Sequence, residues 1–267
     1  MSFAFDRETI AAAAAPPPER TRLASLLLQI WVRPRRALAQ VAAGPRWLWL
    51  IPLLFAVAAL LLRAFVAAPL QAQAQTAQMA AQMQQAPAPD GEALAPVEIP
   101  PTPVSTVLTP MWVGGLGAIL IGWALRALIL QVGSLTMGGR QSFGQVYRLS
   151  AWAGFPLVLR DLVQAAYMLV SGQVVAGPGL SGLVEATGPG GAGGLLGLAG
   201  QATSLPGVIL GKIDLYTLWF LALLVVAMQV GGSLKRGKAV LVVALYAALA
   251  LAPGLLLAAA SGALAGF

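Results

Sequence analysis

The residues of this chain that could do chemistry are a few charged and polar side chains inside long apolar stretches. Arg126 lies in one such stretch, and Arg160, Asp161 and Gln164 lie in the next. An ionisable side chain in hydrocarbon costs at least a few kcal/mol unless it is paired or hydrated, so these four residues are candidates for a polar site within a membrane. They offer ion pairing, a hydrated polar cavity or contact with a partner.

The positions of these residues predict which of them meet. Arg126 lies about 11 residues from the inner end of its stretch, and Arg160 and Asp161 lie about as far from the same surface, so all three are expected roughly 17 Å deep. Residues 160 and 161 point about 100° apart on one helix, so Asp161 is better placed to pair with Arg126, with Gln164 nearby. A buried clamp that fixes helix packing and a functional polar site both remain open.

A stripe of small residues leads to Arg126. Gly114, Ala118 and Gly122 recur every four residues before it. Small residues at this spacing let membrane helices approach closely. The stripe predicts close packing, either within one chain or in a homo-oligomer.

The residue inventory excludes several kinds of chemistry. The chain has no cysteine and no histidine, which removes disulfides, thiolate chemistry, imidazole bases and the usual zinc or haem ligands. No cofactor motif is present, and we expect no catalytic, cofactor-binding or metal site. The protein is therefore expected not to be an enzyme.

Composition defines the elements that must position these residues. Of the 267 residues, 58% are hydrophobic and 9% are charged, with a mean hydropathy of +0.81. One soluble core could not bury so much apolar surface. The fold class predicted is an all-α integral membrane protein, a bundle of five transmembrane helices with an N-terminal cytoplasmic amphipathic helix. The membrane domain covers 47–267, with spans at about 47–68, 111–137, 149–171, 214–232 and 239–260.

The basic residues predict the orientation. Twelve lysines and arginines precede the first span or lie in the short loops on that side, whereas the opposite side carries only Lys212. Basic segments stay in the cytoplasm, so we expect a multi-pass protein of the cell (cytoplasmic) membrane with a cytoplasmic N-terminus and an extracytoplasmic C-terminus. The net charge of +7 is better explained by this bias and by anionic lipid head groups than by nucleic acid. Arg63, near the outer end of the first span, is expected to anchor at the interface.

The N-terminal region divides into a disordered tail, 1–18, and a cytoplasmic amphipathic segment, 19–46. Apolar residues at helical spacing predict a helix over Glu19 to Val32. It would lie flat on the cytoplasmic leaflet or pack against the spans or a partner. The candidate surface for anionic lipid head groups or for an unidentified membrane or cytoplasmic protein partner comprises Arg33, Arg35, Arg36, Gly139, Arg140 and Phe143.

Local signals mark the loops. The external loops are 69–110 and 172–213. The first part of loop 69–110 is Ala/Gln-rich and could continue the first helix outward. The rest, from Pro87 to Pro110, is proline-rich and is expected to be irregular. Gly138 and Gly139 predict the end of the second span, and Ser142 begins a capping box. Pro156 predicts a kink in the third span.

Four segments resemble the Yip domain family, in its bacterial branch related to the eukaryotic Ypt/Rab-interacting membrane proteins. They are RPRRALAQVAAGPRW at 33–47, GGRQSFGQ with AWAGFP between 138 and 156, RDLVQ at 160–164 and KIDLYTLW at 212–219. The resemblance implies five spans and a cytoplasmic N-terminus, and eukaryotic members are linked to Rab GTPases and vesicle trafficking. We expect a non-enzymatic membrane scaffold or adaptor, in membrane organisation or trafficking-like processes; the alternative is a small transporter or channel component using the intramembrane Arg/Asp cluster.

Overall fold

The computed structural model describes residues 23–85, 100–175 and 205–264, and within these ranges it is helical without strands. A short 3-10 helix, Arg46–Trp49, precedes α3. The α-helices are α1 (Leu23–Val32), α2 (Pro34–Ala43), α3 (Leu50–Gln85), α4 (Val104–Thr136), α5 (Phe143–Ala153), α6 (Phe155–Ser171), α7 (Leu205–Lys212), α8 (Leu215–Gly232) and α9 (Arg236–Leu264). Five segments are long and apolar enough to cross a bilayer, which confirms the predicted helical membrane bundle.

The predicted helix ends between α4 and α6 are confirmed. Gly138 takes a left-handed conformation with φ 88°, and the N–H of Gly139 donates to Ser134 O at 2.8 Å, which together form a Schellman stop. Ser142 caps α5 by accepting from the N–H of Gln145. The third span then breaks at Gly154, and α6 begins with Pro156 in its first turn. These features depend on residues close in sequence.

The distal ends of the first two spans are more ordered than the sequence predicts. Helix α3 runs through Pro69 to Gln85, and α4 begins at Val104, so Val104–Pro110 is helical, not irregular. Thr76 and Thr102 hydrogen-bond across the pair at 3.0 Å, and Ala68 and Val107 are buried together. The expectation of an irregular chain was wrong there because α3 gives α4 a surface to pack on. The remainder of the proline-rich stretch, 86–99, lies outside the described residues, as do 1–22.

Helix α4 continues well past the start of α3. Trp49 and Trp123 both contact the ring of Tyr147, with centroids 5.7 and 6.3 Å away, so the base of α3 is level with Trp123. Further from the start of α3, a Cβ built on Gly115 would lie 2.6 Å from the side chain of Leu60. This close approach fits the same antiparallel register of α3 and α4. From Trp123 to Thr136 the helix rises about 20 Å more. We call the level of Trp49, Trp123 and Tyr147 the waist.

The waist divides the bundle into two tiers. The distal tier holds most of α3, the first parts of α4 and α8, α6, α7 and the distal part of α9. The basal tier holds the ends of α4 and α8 and the start of α9, wrapped by α1, α2 and α5. The basal tier contains the main buried core, to which α1 and α2 contribute Leu26, Ile30, Ala37, Leu38 and Val41.

The N-terminal helices pack on protein. Trp31 meets Trp219 of α8 edge to face, with ring centroids 4.7 Å apart, and Ile30 faces Phe155 and Leu223 around a narrow cleft. Of the two alternatives for the predicted amphipathic helix, the structure therefore shows packing against the spans. The face of α1 that carries Leu28 and Val32 stays exposed.

Candidate functional site

Four charged residues form an ion network that joins three helices of the distal tier. Arg63 of α3 donates to Asp161 of α6 at 3.3 Å. Arg160 lies 3.8 Å from Asp161 and donates to Asp214 at 3.3 Å. Asp214 also caps α8 by accepting from the N–H of Thr217. Two arginines and two carboxylates make the network neutral, which is how charges are tolerated within a membrane segment.

The predicted pair of Arg126 and Asp161 is wrong. Asp161 pairs with Arg63 and Arg160, because α6 packs against α3 and α8. Arg126 lies instead on the side of α4 that meets α9. Arg63, expected to be an interfacial anchor, is a member of the network, although its side chain keeps 44% exposure. Gln164 forms no hydrogen bond with these charges in the described chain.

Arg126 lies among aromatic rings near the waist. Its Nε donates to the hydroxyl of Tyr246 at 3.2 Å, and its guanidinium carbon is 4.6 Å from the ring centre of Phe220. Nη1 is buried without a hydrogen-bond partner and points toward Gly154, where an added Cβ would lie 3.8 Å away. Cation–π attraction and the negative end of α5, which stops beside it, stabilise the cation.

The small-residue stripe before Arg126 is not packed against any of the residues that the structure describes. A Cβ built on Gly114 or Gly122 would meet no described atom within 4 Å, whereas Gly115 faces Leu60. Close packing therefore uses a different face of α4 from the one predicted. A homo-oligomer formed through the stripe stays a prediction.

The predicted lipid or partner surface falls into two separate parts. Arg33, Arg35 and Arg36 are exposed around the start of α2, shortly after Trp31, which contacts Trp219 of α8. Arg140 is exposed near the end of the basal tier, whereas Phe143 is exposed closer to the waist, with its ring centre 6.3 Å from that of Tyr147. Gly139 is buried and belongs to no surface, because it closes the Schellman stop and lies against Ser134.

The residues that fasten the N-terminal helices were not predicted from the sequence. Arg148, only 7% exposed, donates from Nη2 to Ala42 O at 2.9 Å and from Nη1 to Pro45 O at 3.0 Å. One turn later, Trp152 donates from Nε1 to Leu48 O at 2.9 Å. We call these three hydrogen bonds the clasp. The four-residue spacing of Arg148 and Trp152 on an amphipathic helix is the signal in the sequence that could have identified them.

A second missed group is the buried amide of Gln141 at the end of the basal tier. Its Nε2 donates to Ser134 Oγ at 2.8 Å, and its backbone carbonyl accepts from Gln131 at 2.8 Å. Gly232 brings α8 so close that an added Cβ would lie 3.2 Å from the Gln141 side chain. These contacts tie the loop after α4 to the end of α8.

Five apolar spans, a neutral intramembrane ion network and short helices packed at one end define a multi-pass helical membrane protein. A family model described as the Yip1 domain matches residues 28–259. The chain belongs to the Yip1 domain family, as the dispersed sequence resemblances predict. No curated protein and no solved structure gives a match.

Proposed function

We propose that the protein is a non-enzymatic membrane scaffold or adaptor that presents the basal tier to a cytoplasmic or membrane protein partner. The observation that carries the proposal is the clasp. It holds two helices against the ends of the spans and gives one end of the bundle a formed, protein-packed surface. The N-terminus is cytoplasmic in this proposal, since the basic residues concentrate on that side.

The charges of the basal end support contact with a partner. Arg140, Lys235 and Arg236 are exposed there, and Phe143, which is 45% exposed, follows Arg140 by three residues. Aromatic residues and arginine are both enriched at protein-binding surfaces. A partner with an acidic and apolar face would suit it.

The ion network supports a structural role in the distal tier. Each of its two carboxylates is engaged by an arginine, and the three helices that carry these charges are thereby held together. This arrangement does not favour the alternative of a small transporter or channel component, because the paired charges of the described residues are already neutralised by one another.

Photo-crosslinking in native membranes tests the scaffold. A photoreactive amino acid replaces Phe143, and a matched variant carries it at Tyr167, which is similarly exposed in the distal tier. We expect a reproducible protein adduct from position 143 that Arg140→Glu weakens and that position 167 does not give. Lipid adducts alone at position 143, with no protein adduct, would contradict the proposal.

A further inference from the structure

We propose that Arg33, Arg35, Arg36 and Arg46 bind the phosphates of anionic lipids in the cytoplasmic leaflet, so that the head-group plane crosses the bundle at the waist. The basal tier then projects out of the hydrocarbon. This placement rests on the orientation in the proposed function, and it separates the lipid-binding arginines from the basic residues Arg140 and Arg236 of the partner-binding surface.

The lengths of the helices in the distal tier support this plane. Counted from the waist, α3 has about 20 apolar residues before Gln71, and α4 about 19 residues back to Val104. Helix α6 has 17 residues. Each of these segments spans roughly 25–30 Å, which matches the hydrocarbon thickness of a bilayer. Adding the basal tier would make the embedded part of α4 about 20 Å longer.

The four arginines have no acidic partner in the chain as described. Asp161 and Asp214 are the acidic residues within 23–85, 100–175 and 205–264, and both are engaged in the ion network. Arg35 and Arg36 lie in the first turn of α2 and Arg33 is its N-cap, where the helix dipole disfavours cations, and all three are exposed. No carboxylate of the described residues is left to neutralise these arginines, and lipid phosphate is an anion that suits exposed guanidinium groups.

Apolar groups beside the arginines fit the same plane. Trp47 is half exposed directly after Arg46, and Val32 is exposed directly before Arg33. Tryptophan prefers the interface between hydrocarbon and head groups. In the opposite placement, with the plane at the basal ends of α4 and α9, these four exposed guanidinium groups would lie in hydrocarbon, which costs several kcal/mol each.

The two placements differ in what surrounds two exposed side chains of the basal tier. Val132 is 53% exposed and lies about 13 Å from Trp123 toward the basal end. Leu241 is 55% exposed, about 7 Å from Tyr246 in the same direction. Water or a partner surrounds them if the plane crosses the waist, and lipid tails surround them if it does not.

Cysteine accessibility decides between the placements, and the chain has no cysteine of its own. Val132→Cys and Leu241→Cys are labelled with a membrane-impermeant maleimide in inside-out vesicles, with Val113→Cys and Leu256→Cys, each about 15 Å from the waist, as exposed distal controls. We expect labelling roughly tenfold faster or more at the basal positions, because a thiol in hydrocarbon does not ionise. Equal protection at all four positions would overturn the proposal, and labelling only in right-side-out vesicles would overturn the orientation instead.

Lipid selectivity tests the arginines themselves. The full-length protein, purified in mild detergent, is supplied with an equal mixture of phosphatidylglycerol and phosphatidylcholine, and the retained lipids are counted by native mass spectrometry. We expect Arg35→Gln with Arg36→Gln to abolish the preference for phosphatidylglycerol, whereas Arg140→Gln with Arg236→Gln retains it despite the same loss of charge. An unchanged preference in the first variant, or equal loss in both, would overturn the proposed site. A missing protein adduct at position 143 would leave these results untouched and would count only against the scaffold.

Discussion

Replacement of Arg148 by methionine tests whether the clasp holds the N-terminal helices. The substitution keeps the buried aliphatic volume and removes two charge-assisted hydrogen bonds, leaving the carbonyls of Ala42 and Pro45 without these partners. Each such bond contributes roughly 1.5–3 kcal/mol in soluble proteins and about 0.6 kcal/mol on average between membrane helices. Because Arg148 is 7% exposed and faces protein, we expect a loss of about 2–4 kcal/mol.

The assay is thermal unfolding in mild detergent, together with hydrogen exchange of α2. For a chain of this size the loss corresponds to a fall in Tm of roughly 5–15 °C, and α2 should exchange faster than α4. Arg140→Met is the matched control, since Arg140 is exposed and forms no hydrogen bond in the described chain. Arg148→Lys keeps the charge but lacks the planar guanidinium group that reaches both carbonyls. Its stability should therefore lie between those of Arg148→Met and Arg140→Met.

The result that would refute the clasp is equal stability of Arg148→Met and Arg140→Met. The same conclusion would follow if stability fell but α2 kept its exchange protection, because the loss would then arise elsewhere in the bundle. Full rescue by lysine would show that charge alone matters and that the fork geometry does not.

Three further predictions concern other contacts. In a double-mutant cycle measured by unfolding in detergent, Asp161→Asn and Arg63→Gln should show a coupling energy of about 1 kcal/mol. Asp161→Asn and Arg126→Gln should be additive. Coupling between positions 161 and 126 would instead support the pair that the structure does not show. Gly139→Ala should cost about 2–3 kcal/mol, because its Cβ would lie 2.9 Å from Ser134 O, whereas Gly144→Ala, with open space, should be neutral or stabilising in the same assay. Trp152→Phe should lower the free energy of unfolding by about 1–2 kcal/mol, because it leaves Leu48 O without its hydrogen bond. Unchanged stability of Trp152→Phe would contradict this prediction.

The features that the sequence predicts correctly are those determined by residues close together in the sequence. A run of about 20 apolar residues identifies a span whatever lies beside it. The stop at Gly138, the cap at Ser142 and the break before Pro156 each depend on residues within one turn. For this reason the all-helical, five-span architecture could be derived before any contact was known.

The partners of Arg126 could not be predicted from the sequence, because a depth obtained by counting residues from the end of each span assumes that all spans end on one plane. In the structure α4 passes the base of α3 by about 20 Å, so equal counts from the ends of two spans do not mean equal levels. The rotation of α4 turns Arg126 toward Tyr246 and Phe220 and away from Asp161. Hydropathy carries no information on the rotation of a helix that is apolar on every side.

The break at Gly154 links the two tiers. On its basal side, Arg148 and Trp152 use one face of α5 to bind the backbone around α2 and the start of α3. On its distal side, Arg160 and Asp161 use α6 to join α3 and α8. Since the third span is anchored independently on each side of the break, variants of the clasp and variants of the ion network should be energetically additive, although all of them act on one span. Strong coupling between Arg148→Met and Asp161→Asn would instead mean that α5 and α6 move as one rigid helix.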